Sequence, residues 1–161
     1  MTPLSKELEH LYDATWVVID PWSYQYVPGN KHCVQEVETY INNVNEYYAN
    51  MIYQYIQDHN INNVYTVNNH GIPTHRLFEK FDKWPSNSPA GNYVFVGYHS
   101  GICIKQKGTE RLKAKKHHIP WVKADLTCTL AENWLTAKSI DELQYEFKEN
   151  MSAYGDMVSI I

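Results

Sequence analysis

The sequence predicts one α/β domain, a sandwich on a mostly parallel sheet. Three observations carry this. The chain of 161 residues is long enough for one real core. Its first strong element, Thr15-Trp-Val-Val-Ile-Asp20, is continuously apolar rather than alternating, the habit of strands covered on both faces. Apolar runs of this kind then alternate with helical patterns, in the order strand, helix, strand, helix, strand.

Each element has its own reason. The first strand stops at the carboxylate Asp20 and Pro21. After a loop through Pro28-Gly29-Asn30, the residues Val37, Ile41, Val44, Tyr48, Met51, Ile52, Tyr55 and Ile56 recur at three- and four-residue steps, a broad helical stripe. Asn60-Ile-Asn-Asn63 reads as the turn out of that helix, and Val64-Tyr-Thr-Val67 as the second strand. From Asn68 to Asn92 the chain is rich in His, Pro, Ser and Asn, and a short helix is expected near His75–Phe81. Tyr93-Val-Phe-Val-Gly97 is a third strand. A polar helix from about Cys103 to Lys116 follows, then a fourth strand, His118–Ala124, with Pro120 near its start. Ser139-Ile-Asp-Glu142 has capping-box spacing and is expected to open a last helix through Phe147.

Composition narrows the function classes. Fourteen basic against 18 acidic residues give a net charge of −4, which argues against broad electrostatic binding to nucleic acid or an anionic membrane. Mean hydropathy is −0.52, and no apolar run approaches the ~18 residues of a spanning helix. The first residues lack the order of a signal peptide, so a cytoplasmic location is expected. Cys33, Cys103 and Cys128 form no CxxC pair, which speaks against a disulfide framework.

Parallel strands with right-handed crossovers gather functional loops at their carboxyl ends. Three reactive places fall there: Asp20 after the first strand, His70 after the second and Cys103 after the third. Cys103 opens a helix, where free backbone N–H groups favour a thiolate and can hold an oxyanion. The competing reading is a small buried apolar residue. Asp20 could take a thiol proton and return it to a leaving amine, or it could simply cap a loop. His70 and His75, five apart, could hold a zinc-type ion with water. With no adjacent carboxylate, two histidines bonded to backbone is the preferred reading, and no cofactor is expected. The basic run Lys105, Lys107, Arg111, Lys113, Lys115 and Lys116 reads as a solvated face, lacking the interleaved aromatics of a nucleic-acid site.

Taken in order, Val17-Val-Ile-Asp20-Pro-Trp, Val64-Tyr-Thr-Val-Asn-Asn-His70, Val96-Gly-Tyr-His-Ser-Gly-Ile-Cys103-Ile and Trp121-Val-Lys-Ala-Asp125 resemble the isochorismatase-like cysteine hydrolases, across most of residues 16–130. The resemblance implies a three-layer Rossmann-like sandwich and an Asp–Lys–Cys triad that hydrolyses amide-type bonds of small molecules through an acyl-enzyme, in a homo-oligomer. Asp20 matches the family's acid/base and Cys103 its nucleophile, with the amides of His99 and Cys103 as oxyanion hole. The family's lysine lies farther before the cysteine than any candidate here. Lys80 and Lys83 stand nearest, and Lys83 is the expected third member. The loop at His70 and His75 resembles a nicotinamidase metal loop, with Asn68 where that loop carries aspartate. A catalytically degenerate binding or assembly module on the same fold is the alternative.

Overall fold

A 3-10 segment, Lys6–Asp13, leads into strand β1 (Thr15–Ile19), all of whose residues are buried. The Trp16 indole N–H donates to the Leu11 carbonyl at 2.8 Å, which fastens the segment to the strand it precedes. The computed structural model describes residues 2–23, 35–68, 73–98, 103–113, 117–128 and 158–161. After β1 come helix α1 (Gln35–Asp58), β2 (Val64–Val67), a 3-10 turn (Arg76–Phe78) and β3 (Gly91–Tyr98). A π-helical turn, Ile104–Thr109, then runs into the short helix α2 (Glu110–Lys113), and β4 (His118–Cys128) and β5 (Ser159–Ile160) complete the sheet.

The protein is thus α/β, with a five-stranded sheet in the order β2-β1-β3-β4-β5, parallel at every pairing. Successive side chains of a strand point to opposite faces, and both faces are filled. Trp16, Val18, Val94 and Val96 share one buried cluster with Ala49, Ile52, Tyr55 and Ile56 of α1. Val17, Ile19, Tyr93, Phe95 and Val122 share the other with Ile104 and Leu112. Two-sided burial is the reason that β1 reads as continuous apolarity. It is also where the stability comes from, at roughly 1.5–3 kcal/mol for each large apolar side chain removed from water.

Two expectations need adjustment. Strand β4 runs four residues past Ala124. Its pairing with β3 breaks after Phe95↔Val122 and resumes at Gly97↔Thr127, so Val96 alone faces residues 123–126. That bulge carries Lys123 and Asp125, polar residues that end the apolar run although the strand continues. The helix after Cys103 begins as a π turn, and its described part ends at Lys113. Strand β5 and the 3-10 segment Lys6–Asp13 have no counterpart among the expected elements. The helix expected over Ser139–Phe147 lies outside the described residues, as do Cys33 and the loop through Pro28.

Among the described residues no helix is long and apolar enough to cross a membrane.

Candidate functional site

Strand β1 delivers Asp20 to the carboxyl end of the sheet in an unusual backbone state. Its φ is +49°, a region that aspartate visits more readily than most residues. The chain turns sharply here: the Asp20 N–H donates to the Val67 carbonyl of β2 at 2.7 Å, and the Trp22 N–H donates back to the Asp20 carbonyl at 2.8 Å. The side chain has no solvent exposure at all. A carboxylate so placed is costly unless a cation and hydrogen bonds compensate it.

Lys107 supplies them. Its Nζ lies 2.7 Å from Asp20 Oδ1 and 2.8 Å from Oδ2, and the lysine itself is only 15% exposed. Lys107 sits in the π turn four residues after Cys103, which precedes that turn and is itself buried. With about 4.4 residues per turn expected of i→i+5 bonding, positions 103 and 107 come close to one face. Cys103 belongs to the buried cluster that contains Ile19 and Val67, the last residues of β1 and β2. Strand ends and π turn together therefore gather Asp20, Lys107 and Cys103 at the carboxyl end of the sheet.

Two glycines make this close packing possible. A Cβ on Gly97 would stand 2.3 Å from the Ile19 carbonyl oxygen, and its φ of +108° disfavours any side chain. A Cβ on Gly108 would stand 2.8 Å from the Phe95 ring, so the π turn lies down on β3 only where the side chain is missing.

A polar lattice joins the loop after β1 to the segment after β2. Trp22 pairs with Thr74 in an antiparallel bridge, the Ser23 N–H donates to the Pro73 carbonyl, and the His75 N–H donates to Pro21 at 2.7 Å. The Trp22 indole N–H donates to Asn68 Oδ1, whose amide donates in turn to Thr74 Oγ1. From α1, Asn45 Nδ2 donates to the Trp22 carbonyl, and the Tyr98 hydroxyl donates to the Asn45 carbonyl. The residues that follow Asp20 are therefore held by the segment after β2 and by α1.

The expected site residues separate. Asp20 and Cys103 are at the gathered strand ends, and the cation beside Asp20 is Lys107 rather than Lys83. Lys83 is exposed, and its backbone forms a bridge to Thr66. The Thr66 N–H donates to the Asp82 carbonyl, and the Trp84 N–H donates to the Thr66 carbonyl. The stretch around Lys83 thus covers the open edge of β2.

His75 caps the 3-10 turn. It is buried, its Nδ1 accepts the Leu77 N–H at 3.2 Å, and its Nε2 lies 2.8 Å from Glu46 Oε2. Both ring nitrogens are occupied, since Nε2 also lies 3.3 Å from Arg76 Nη1. Arg76 also reaches Glu46, at 3.1 Å. Partial burial raises the Glu46 pKa, but hydrogen bonds from His75, Arg76 and Asn50 more than offset it and leave the carboxyl below its ordinary range. His70 and His99 lie outside the described residues. Among the described residues no group of three or more His, Cys, Asp or Glu could hold a metal.

The basic run is not a uniformly solvated face either. Besides the paired Lys107, Arg111 stacks its guanidinium 3.8 Å from the Trp84 ring centre and donates to the Pro85 carbonyl. Burial lowers the pKa of Arg111, with nearby Tyr93 opposing the shift. The sequence position of Lys107 did carry a signal, four residues after a helix-opening cysteine, but the surrounding lysines masked it.

The chain matches no protein-family model, no curated protein and no solved structure.

Proposed function

We propose that the protein is a small-molecule hydrolase of the isochorismatase-like type, a three-layer Rossmann-like sandwich that cleaves an amide-type C–N bond with Cys103 as nucleophile. The observation that supports this most is the fully buried Asp20 held on both oxygens by a lysine one π turn beyond the cysteine. In this reading Lys107 replaces Lys83 as the third member of the triad. The sulfur of Cys103 adds to the substrate carbonyl carbon while its proton passes to Asp20. Asp20 returns that proton to the nitrogen as the C–N bond breaks, releasing the amine and leaving a thioester. Water adds to the thioester carbonyl and gives a proton to Asp20. Collapse expels the sulfur, which regains that proton, and the carboxylic acid leaves. Lys107 keeps the carboxylate oriented through both halves, and the amides of His99 and Cys103 are assigned to the oxyanion. No metal or other cofactor is assigned. Location in the cytoplasm and a homo-oligomer belong to the same proposal.

The second reading, a binding or assembly module without turnover, draws on the same ion pair. Each Asp20 oxygen already receives a hydrogen bond from Lys107, as in a purely structural pair. Alkylation of Cys103 by iodoacetamide from pH 5 to 9 separates the two, with Cys33 and Cys128 as internal controls. The hydrolase reading expects Cys103 to react fastest, with a midpoint well below the ~8.5 of a free thiol. It also expects Lys107→Met to shift that midpoint and Lys83→Ala to leave it unchanged. A thiol that titrates ordinarily, or does not react, overturns the hydrolase reading.

A further inference from the structure

The face of α1 that meets the sheet runs Ile56, Ile52 and Ala49 toward its N-terminus, and Asn45 is the next position on it. An apolar side chain there would continue the buried stripe. Asn45 instead buries an amide, with 3% of the residue exposed. Its Nδ2 donates to the Trp22 carbonyl at 3.1 Å, and among the described residues its Oδ1 has no hydrogen-bond partner. The bonded acceptor is a carbonyl, so the amide nitrogen is the atom that faces it and the oxygen is the one left over. A buried acceptor without a donor costs at least as much as one hydrogen bond contributes. Stability therefore does not explain the asparagine.

Its contacts do. The Trp22 N–H donates to the Asp20 carbonyl, closing a tight turn that Asp20 enters with φ +49°. A residue other than glycine persists in that region only where its surroundings hold it. Pro21, Trp22 and Ser23 are also tied to residues 73–75, a loop segment, whereas Asn45 sits on a 24-residue helix. The Asn45 carbonyl in turn accepts the Tyr98 hydroxyl at 2.8 Å, and Tyr98 is the last residue of β3, next to His99. One helix position thus fixes both the turn that carries Asp20 and the strand end that leads to the assigned oxyanion amide.

We propose that Asn45 is a positioning residue for Asp20. It acts through the Trp22 carbonyl, keeping the carboxylate against Lys107 and in register with the end of β3. Its catalytic meaning rests on the hydrolase reading.

The test is proton exchange at two buried ammonium groups, Lys107 and Lys123, followed by NMR of the whole chain. Lys123 is 2% exposed and paired with Asp125, so it reports on the rest of the fold. Asn45→Leu keeps the size of the side chain and removes the amide. The expected result is a melting temperature within about 4 °C of wild type, exchange at Lys107 at least ten-fold faster, and exchange at Lys123 unchanged. The alkylation midpoint of Cys103 should move by at least half a pH unit, in either direction, because Asp20 and Lys107 act oppositely on a thiolate. If Asn45→Leu does not fold, the same readouts on Tyr98→Phe, which frees the Asn45 carbonyl, decide. Unchanged exchange at Lys107, equal acceleration at both lysines, a larger drop in melting temperature of Asn45→Leu, or an unmoved midpoint of a thiol that is activated in wild type overturns the proposal. An ordinary thiol titration in wild type overturns the hydrolase reading alone, and exchange at Lys107 then decides whether Asn45 holds the carboxylate.

Discussion

Lys107 Nζ stands within 2.8 Å of both carboxylate oxygens of Asp20, across 87 positions of sequence. The pair ties the π turn to the end of β1 at a place where water does not reach the carboxylate. A buried pair of this kind adds little net stability when intact, because desolvation offsets the attraction. Losing one partner is different, since the other is left charged and buried.

A double-mutant cycle should therefore be strongly non-additive. Lys107→Met should destabilise the protein by about 3–5 kcal/mol, and Asp20→Asn alone should also cost stability. The double variant should recover part of the loss, with a coupling on the order of 1–3 kcal/mol. Urea denaturation of the four proteins measures it. Additive effects would mean that the two side chains do not depend on each other.

The legible and illegible parts of this chain differ for physical reasons. Strand β1 and helix α1 declare themselves, because two-sided burial gives β1 an unbroken apolar run and one-sided packing gives α1 its stripe. Asp20 and Cys103 were legible as residues that end or follow such runs. Lys107 was not, because five neighbouring basic residues make it look solvated, and a π turn is invisible to a 3.6-residue period. His75 was legible only in part. Its sequence reading favours backbone bonding, and its Nδ1 does cap the 3-10 turn at Leu77, but its contact with Glu46, 29 positions away, is tertiary and leaves no local signal. Strand β5 is two residues long, too short for any periodic signal.

Gly97 should be nearly irreplaceable. Gly97→Ala places a Cβ 2.3 Å from a backbone carbonyl oxygen of β1 in a conformation that side chains disfavour. Because β1 is paired on both sides, by β2 and β3, the neighbour has little room to yield. A loss of at least ~3 kcal/mol is expected, above the ~1 kcal/mol typical of a point substitution. Gly91→Ala is the control: its φ is +136° but nothing lies within 4 Å of the added carbon, so backbone strain acts there without a clash. Thermal unfolding of the two variants should rank Gly97→Ala well below Gly91→Ala, and equal melting temperatures would remove the steric argument.

Glu46 should set part of the acid limit of the fold. Its folded-state pKa lies below the ordinary carboxylate value, against the upward push of partial burial, because His75, Arg76 and Asn50 hydrogen-bond it. The unfolded chain consequently takes up the proton first as pH falls. The contribution of this cluster is fully present above the unfolded value of about 4.3 and is lost as pH drops through the lower folded value. His75 and Arg76 tie α1 to the segment that pairs with Pro21 and Trp22, so the loop beside Asp20 should loosen in the same window. In Glu46→Gln this carboxylate no longer titrates. Its stability should be lower than wild type at pH 7 and should fall less steeply between pH 5 and 3, as read by urea midpoints at each pH. Parallel pH profiles for the two proteins would show that Glu46 contributes nothing to the acid transition.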